Sequence, residues 1–394
     1  MFVPDLCALC ALCALTCFAR AESKFVEMIV KASLCLRLLP SAAAVSSTAG
    51  RGVQRVTYCH HSYRRPFAFG WAPGDTSRHT AATAAAAAAP AAGVAGQQDH
   101  ELRELKDVPA SLLEVVEAVA SDVDGTLTTP EVTVTSRTKQ AIKAVMDSGL
   151  VFFPATGKTR AGMYKILGED VSAQLKAKDT PGVFIQGLVV YSGAGDEVLY
   201  ERLLDAETVS QVTSFCEERG VSLIAYSGDS IVCSTKDAET DKIALYSEPM
   251  PSAVGPLPEA MAAGLRIHKL ILMDKKEAID RVRPDVERLV GERATFTQAL
   301  PDMLEVLPPG ASKGHGVEVL LKHLGIDPQH LMALGDAEND VEMLRLAGVG
   351  VCVGNASPPA KAAARYVAPT NADDGSAVAM EQLLRNKKPG SLEE

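Results

Sequence analysis

The feature that most constrains the fold is an alternation of short apolar, β-branched runs with segments of helical spacing, which starts near residue 112. Residues 116–123 and 150–155 are predicted as strands. Residues 134–148, between them, are predicted as a helix because their apolar residues share one face. The same alternation returns with a helix at 315–324 and a strand at 331–334. This pattern predicts an α/β fold built on a parallel, Rossmann-like sheet.

Between these two blocks the pattern changes. Over residues 204–296, helical segments alternate with short, closely spaced strands, which predicts an inserted α+β domain. The α/β domain is therefore predicted to comprise residues 112–203 and 297–386, followed by a tail at 387–394. When one domain interrupts another, the ligand site commonly lies in the cleft where they meet. We expect the functional site in that cleft.

The first 98 residues differ in composition from the rest of the chain. They contain nine Lys or Arg against four Asp or Glu, end in an alanine-rich run and lack apolar periodicity. We predict that residues 1–98 form a disordered targeting segment, because such a composition cannot build a core. Few acids with Arg and Ser are typical of organelle transit peptides. A plastid is the favoured destination, with a mitochondrion or the cytoplasm as alternatives; an apolar stretch at 6–18 leaves a secretory signal open.

The net charge argues against two classes of partner. The chain has a formal charge of −10 and a pI near 5.4, so its overall field does not attract nucleic acid or anionic lipid. No other segment approaches the roughly 20 apolar residues that span a bilayer. We expect a soluble protein that acts on a small molecule and binds neither nucleic acid nor a membrane. The oligomeric state stays open.

The cysteines fall into two groups. Cys7, Cys10, Cys13 and Cys17 have the spacing of ligands to a four-iron cluster. A tandem Leu-Cys-Ala repeat explains this spacing without a cluster, so we assign no metal to it. The three cysteines after residue 200 lie in apolar contexts and are predicted to be reduced core residues.

Chemistry-bearing residues follow the first predicted strand. Asp122 and Asp124, in the motif Asp-Val-Asp-Gly-Thr, stand where this strand ends. At the carboxyl edge of a parallel sheet, both carboxylates can face one crevice. Two such acids repel each other unless a cation or a proton is present, and oxygen ligands favour Mg²⁺ over zinc. Taken alone, the motif is equally compatible with an ordinary Asp-Gly turn.

Three further motifs lie at predicted strand ends or helix starts. Asp336 follows the strand at 331–334 and would add a third carboxylate to the metal site. Thr156 and Gly157 end the second strand, where a hydroxyl and free amide groups can bind an anion. Lys313 begins the helix before the strand at 331–334, and its ammonium group suits a phosphate dianion. Each motif alone is common, but their order at successive strand ends makes the set specific.

These motifs resemble the four motifs of the haloacid dehalogenase (HAD) superfamily of hydrolases. The insert is similar to the C2-type cap of the Cof-like phosphatases in that superfamily. The segment LEVLPPGASKG, at 304–314, is similar to that subfamily's approach to the motif lysine. The resemblance extends over about residues 115–386. One departure is at 186–188, where Gln-Gly-Leu replaces the Asn-Gly-Ala of many relatives, which affects the expected substrate contacts and leaves the core chemistry intact.

The resemblance implies a role for each acid. Asp122 would attack phosphorus to form an aspartyl-phosphate, and Asp124 would act as general acid and then general base. Mg²⁺ would be bound by Asp122, by the backbone carbonyl of Asp124 and by Asp336. Asp340 would lie behind these ligands and, together with Asn339, orient bound water.

The resemblance also implies a phosphate site. Thr156, Gly157 and Lys313 would stabilise charge on the transferring phosphoryl oxygens, where catalysis of phosphoryl transfer mostly operates. Asn339 is assigned to the same phosphate-binding group.

Five other residues have weaker signals. Lys158 and Arg160 either contact a second anionic group of the substrate or are solvated charges at a helix start. His268 either faces the cleft or is packed. Asp229 and Asn371 receive no role.

These observations predict a Mg²⁺-dependent phosphatase that hydrolyses a small phosphomonoester, either a sugar phosphate or a phosphorylated cofactor. An aromatic content of 5% offers no clear stacking platform for a flavin, which favours sugar phosphates. A phosphotransferase or phosphomutase on the same scaffold is one alternative. A non-catalytic regulatory protein with a phosphorylated Asp is another, but the Asp122/Asp124 spacing and the large insert argue against it.

Overall fold

The structure is a computed structural model that describes residues 101–387. These residues form three sheets with flanking helices. The strands are β1 (Arg103–Glu104), β2 (Ala118–Ser121), β3 (Val151–Pro154), β4 (Gly182–Phe184), β5 (Val189–Tyr191), β6 (Val198–Glu201), β7 (Ser222–Ser227), β8 (Ser230–Cys233), β9 (Ser252–Ala253), β10 (Lys269–Met273), β11 (Thr295–Leu300), β12 (Met303–Leu307), β13 (Leu331–Gly335), β14 (Val349–Cys352) and β15 (Tyr366–Val367). The helices are α1 (Ala110–Glu114), α2 (Ser136–Asp147), α3 (Arg160–Leu167), α4 (Glu169–Ala177), α5 (Ala206–Arg219), α6 (Leu257–Ala262), α7 (Lys276–Val290), α8 (Lys313–Leu324), α9 (Val341–Leu346), α10 (Pro358–Ala363) and α11 (Gly375–Asn386).

The core is a six-stranded sheet in the order β1-β15-β14-β13-β2-β3, in which every neighbouring pair is parallel. β2 and β13 lie side by side, with Ser121 opposite Leu334. A bridge between Ala155 and Val183 connects the β3 end of this sheet to the antiparallel sheet β4-β5-β6. The predicted parallel α/β core is therefore confirmed.

Side chains of the core strands alternate between two apolar layers. Val119 and Phe152 belong to one buried cluster, which includes apolar residues of α2 and α11. Their neighbours Ala120 and Phe153 belong to a second cluster with α8 and α9. Successive residues of a strand point to opposite faces, so a sheet covered on both sides needs apolar side chains at nearly every position. This requirement explains the continuous apolar runs in the sequence.

The insert, which we call the cap, forms a second six-stranded sheet in the order β11-β12-β10-β7-β8-β9. Its pairs are antiparallel except β8 and β9. α5 and α7 pack on one face, and Ile279, Val282 and Val286 of α7 are buried there at helical spacing. Tyr226 and Ile271 on the other face share an apolar cluster with the core. The cap sheet therefore packs against the core on its inner face.

The structure differs from the predicted domain boundaries at two points. The cap sheet includes β11 and β12, so the insert continues through Leu307 instead of ending at 296, because β12 pairs along its length with β10. The core sheet also gains β1, which lies ahead of the predicted start at 112. The predicted targeting segment at 1–98, its cysteines and the tail after residue 387 lie outside the described residues.

Two further predictions are tested within residues 101–387. Cys216, Cys233 and Cys352 are buried free thiols, as predicted. In this part of the chain, no helix combines the length and the apolar character that crossing a bilayer requires.

Candidate active site

The core sheet brings two acidic motifs to the same edge. β2 ends at Ser121 and β13 at Gly335, and these parallel strands are neighbours. The backbone N–H of Asp122 donates to the carbonyl of Leu334 at 2.9 Å, which extends the pairing to the acid itself. Since the carboxyl ends of parallel strands meet at one edge, Asp122 and Asp336 share a crevice although they are far apart in sequence.

Three carboxylates and one ammonium group form the centre of the site. Each of Asp122, Asp336 and Asp340 offers an oxygen, and these oxygens all lie within 4.8 Å of one another. Lys313 Nζ, at the first residue of α8, lies 2.6 Å from Asp122 Oδ1 and 2.8 Å from Asp340 Oδ1. Lys313 and Asp340 are almost fully buried, and Asp122 is 4% exposed. This centre therefore holds more negative than positive charge.

Burial, together with the neighbouring carboxylates, raises the pKa values of Asp122 and Asp336. Burial raises the pKa of Asp122 well above its ordinary value; neighbouring carboxylates add to the rise, and Lys313 opposes it. Burial and the carboxylate of Asp340 raise the pKa of Asp336 to about 6, against a hydrogen bond from Thr126. Burial lowers the pKa of Lys313, but Asp122 and Asp340 outweigh it and the net shift is upward. A further cation would relieve the remaining repulsion.

The donor set fits a divalent, oxygen-preferring cation such as Mg²⁺. The side-chain ligand atoms that the cluster offers are carboxylate oxygens, which Mg²⁺ favours. Gly125 leaves room beside them: a Cβ at this position, where φ is +77°, would lie 2.5 Å from Asp336 Oδ2. Only a residue without a side chain allows the loop to approach Asp336 this closely.

Asp340 differs from the other two acids because both of its oxygens are already engaged. Oδ1 contacts Lys313, and Oδ2 accepts hydrogen bonds from the backbone N–H groups of Asp336 and Ala337 at 3.0 and 2.9 Å. Asp340 thus holds the loop that carries Asp336. This geometry agrees with a supporting position behind the metal ligands.

Asp124 lies at the margin of the cluster. Its side chain is 51% exposed, and its Oδ2 lies 3.1 Å from the ammonium group of Lys158. The carboxylate cluster therefore contains Asp340 and not the side chain of Asp124. Only the backbone carbonyl of Asp124 was predicted as a ligand, and its carboxylate, although paired with Lys158, is half-exposed.

The predicted phosphate-binding residues follow β3, the strand next to β2. Thr156 is fully buried, and its Oγ1 accepts a hydrogen bond from the N–H of Lys158 at 3.2 Å. A Cβ on Gly157 would lie 2.7 Å from Gln186 Nε2, so the Gln186 side chain packs directly against this glycine. Asn339 is exposed and donates to Gln186 Oε1 at 2.9 Å.

Lys158 and Arg160 are both buried, and both contact the cap. Lys158 Nζ donates to the backbone carbonyl of Tyr246 in the cap at 2.6 Å. Arg160 Nη2 lies 2.6 Å from Asp229 Oδ2, also in the cap, and its guanidinium stacks on the Tyr191 ring at 4.0 Å. The prediction of solvated charges is therefore wrong, because both cations are buried in contacts between the core and the cap, whereas contact with a second anionic group of the substrate stays a prediction.

Several important residues had little signal in the sequence. Thr126 donates to Asp336 Oδ1 at 2.8 Å and holds that carboxylate from the loop that follows the neighbouring strand β2; its place in the Asp-Val-Asp-Gly-Thr motif was the only hint. Glu248 of the cap is 2% exposed and accepts from Thr159 Oγ1 at 2.6 Å. Gln186 was noticed only as a departure from the pattern of relatives, and no local pattern marks Glu248.

Two residues left open by the sequence now have structural explanations. His268 is buried with its Nε2 2.8 Å from Glu201 Oε1, so it is packed and does not face the cleft. Burial lowers the pKa of His268 to about 4. Asn371 donates to the carbonyl of Thr128 at 2.8 Å and thereby supports the loop that follows Asp122.

Comparison with known proteins identifies the family of this chain. The sequence profile of the haloacid dehalogenase-like hydrolases matches residues 119–380. The chain therefore belongs to the HAD superfamily, and its relatives and structural neighbours place it among the Cof-like phosphatases. It is accordingly an enzyme, a HAD-type phosphatase that hydrolyses phosphate esters.

Three similar proteins illustrate the sequence identity and the share of each chain that the similarity covers. Over 267 residues the chain is 38% identical to the Arabidopsis thaliana protein named "Endoribonuclease YBEY, chloroplastic"; the match covers 66% of this chain but only 45% of that protein. It is 30% identical over 248 residues to the HMP-PP phosphatase of Klebsiella pneumoniae, covering 63% of this chain and 88% of the relative. The solved structure of a subclass IIB sugar phosphatase of the superfamily gives a TM-score of 0.56 at 26% identity, covering 68% of this chain and 98% of that one.

Proposed function

We propose that the protein is a Mg²⁺-dependent phosphatase that hydrolyses a small phosphomonoester through an aspartyl-phosphate on Asp122. The observation that carries this proposal is the buried cluster of Asp122, Asp336 and Asp340 around Lys313, at the edge where β2 and β13 end. Such a cluster provides a nucleophile, a cation site and a fixed positive charge together.

Asp122 is the nucleophile of this proposal. One of its carboxylate oxygens attacks phosphorus, and the bond from phosphorus to the leaving alcohol breaks. Lys313, 2.6 Å from Asp122 Oδ1, favours the ionised carboxylate that this attack needs. Asp124, with its half-exposed carboxyl group, protonates the leaving oxygen and then removes a proton from the water that hydrolyses the aspartyl-phosphate.

Asp122, Asp336 and the backbone carbonyl of Asp124 would hold Mg²⁺. When bound, the ion neutralises the carboxylates and the phosphoryl oxygens during transfer. Thr156, Gly157 and Lys313 bind the phosphoryl group through a hydroxyl, backbone amide groups and an ammonium. The buried Thr156 lies beside the strand that carries Asp122, which supports this assignment.

The substrate class follows from weaker observations. The low aromatic content offers no clear flavin platform, and a structural neighbour is a sugar phosphatase, so we favour a sugar phosphate. The HMP-PP phosphatase relative keeps phosphorylated cofactors as the second class. The match with a chloroplastic Arabidopsis protein supports a plastid location.

The decisive experiment is a phosphate-release screen with purified protein, Mg²⁺ and a panel of phosphomonoesters. We expect steady release well beyond one equivalent, and we expect Asp122→Asn to lose essentially all turnover while staying folded. Asp147→Asn, which alters an exposed surface aspartate, is the matched control and should keep wild-type activity. Near-native activity of Asp122→Asn contradicts the nucleophile assignment, and a single equivalent of phosphate indicates a regulatory protein. Products that appear only with an added alcohol indicate a phosphotransferase.

A further inference from the structure

The turn that joins β4 to β5 has an unusual backbone. Ile185, Gln186 and Gly187 have φ values of 51°, 59° and 84°, so three successive residues occupy the left-handed region. Glycine adopts this region freely, whereas a β-branched isoleucine almost never does. Strained backbone of this kind persists only where the surroundings enforce it, and it is concentrated at functional sites. The surroundings of this turn are the candidate active site.

The backbone of the turn is bonded to the phosphate-binding segment. The N–H of Gln186 donates to the carbonyl of Thr156 at 3.1 Å, and the N–H of Ile185 donates to the carbonyl of Lys158 at 3.0 Å. These two hydrogen bonds bind the residues on either side of Gly157. A Cβ on Gly187 would lie 2.0 Å from the carbonyl oxygen of Ser312, the residue before Lys313. The turn is thus in contact with two of the segments that would bind phosphate.

The side chain of Gln186 reaches in two further directions. Its Oε1 accepts from Asn339 Nδ2 at 2.9 Å, on the loop that carries Asp336. Its Nε2 lies 3.5 Å from Oε2 of Glu305, which belongs to β12 of the cap and is 8% exposed. Glu305 also accepts from Lys269 Nζ at 2.9 Å, and that ammonium lies 3.3 Å from the carbonyl oxygen of Gly157.

We propose that Gln186 is a positioning residue that aligns the Asn339 loop and the Thr156–Gly157 segment with the cap. The strained turn places the side-chain amide of Gln186 between Asn339 of the core and Glu305 of the cap. When the cap lies on the core, Glu305 and Lys269 hold the far side of this amide. The inference rests on the proposed function, because the aligned segments are those that would bind phosphate and metal.

The turn's own strain supplies the test. Glycine adopts a φ of 59° without steric strain, and this gain offsets the larger conformational entropy that glycine gives the unfolded chain, so Gln186→Gly should keep a melting temperature close to that of the wild type while it removes both side-chain contacts. We expect kcat to fall by about tenfold with a smaller change in KM, since the groups remain present but lose their alignment. Gln186→Asn keeps an amide on a residue type that tolerates positive φ, so its kcat should lie between those of the wild type and Gln186→Gly.

Val132→Gly is the matched control. Val132 is exposed and has a φ of 57°, so the substitution relieves the same kind of strain outside the contacts described above. Its kcat should stay within about twofold of the wild-type value. Hydrogen exchange gives a readout independent of turnover. The backbone amides of residues 156–160 and 337–340 should exchange faster than in the wild type in Gln186→Gly, and at the wild-type rate in Val132→Gly.

The outcomes separate the two proposals. If the wild type releases phosphate and Gln186→Gly keeps kcat within twofold, the positioning role is wrong and the proposed function stands. A fall in kcat that matches a fall in melting temperature also overturns the positioning role, because it indicates a purely structural residue. If the wild type releases no phosphate from any ester, the proposed function fails, and unchanged exchange at the two segments would then reject the alignment as well.

Discussion

Replacing the proposed metal ligand Asp336 by Asn is expected to stabilise the metal-free protein. The pKa of Asp336 is raised to about 6 from an ordinary value of 3.8. One pKa unit corresponds to 1.36 kcal/mol, so the ionised carboxylate lowers the free energy of unfolding by about 3 kcal/mol. Asparagine has nearly the same shape, is neutral and still accepts a hydrogen bond from Thr126. The Asp336→Asn variant should therefore keep the fold and lose the penalty.

The pH dependence of this effect has a defined sign. Below about pH 4 the carboxyl group is protonated in both the folded and the unfolded protein, and the substitution has little effect. As the pH rises from about 4 to 6, the unfolded chain ionises while the folded protein retains the proton, so the wild type loses stability relative to Asp336→Asn. Above about pH 6 the difference in stability between the wild type and Asp336→Asn has its full value.

Urea unfolding with a chelator present measures the difference. At pH 7.5 we expect Asp336→Asn to be more stable than the wild type by about 2–3 kcal/mol, and at pH 5 by about half of that. Added Mg²⁺ should stabilise the wild type and leave the variant nearly unchanged, since binding to the folded state alone raises its stability. Asp147→Asn controls for a simple loss of negative charge. An equal or lower stability of Asp336→Asn at pH 7.5 without metal would refute the reasoning.

Two further substitutions test other parts of the site. Lys313→Met leaves buried carboxylates without their cation, so we expect the free energy of unfolding in urea to fall by about 3–5 kcal/mol at pH 7.5, and by less at pH 5. The control Lys322→Met alters an exposed lysine on the same helix and should change the free energy of unfolding little. A similar loss of stability in both variants would contradict this account. Arg160→Ala removes the guanidinium that joins the core to Asp229 of the cap, so we expect limited proteolysis of the cap to accelerate and KM to rise by about threefold to tenfold. Unchanged cleavage and KM would show that this contact does not hold the cap.

The α/β core could be predicted because its strands are buried on both faces and its helices on one. These two kinds of burial give different periods in the sequence. The helix predicted at 315–324 is present as Lys313–Leu324, and the strand predicted at 150–155 is present as Val151–Pro154. β4 and β5 were missed because a strand of three residues is too short to establish a period. The predicted end of the cap at 296 was wrong because β11 and β12 form a hairpin that joins the cap sheet by pairing with β10, and local sequence periodicity does not reveal such pairing.

The carboxylate cluster could be predicted for a topological reason. Parallel strands end at one edge, so acids that follow β2 and β13 must meet there whatever their separation in sequence. The oxygens within 4.8 Å of one another agree with that expectation. The part taken by Gln186 could not be predicted, because it depends on a turn in which isoleucine and glutamine adopt a conformation that both normally avoid.

The contacts between core and cap explain how phosphate binding and cap position can be linked. Lys158, Thr159 and Arg160 directly follow the proposed phosphate-binding residues Thr156 and Gly157, and each bonds to a different residue of the cap. On the proposed function, we expect substrate entry to break some of these bonds and enclosure of the substrate to restore them. If this short segment binds phosphate as proposed, a ligand that orders it also favours the closed arrangement by the same free energy. Cap closure is then selected by the phosphoryl group that every substrate shares, whereas discrimination between leaving groups must come from the cap's inner face.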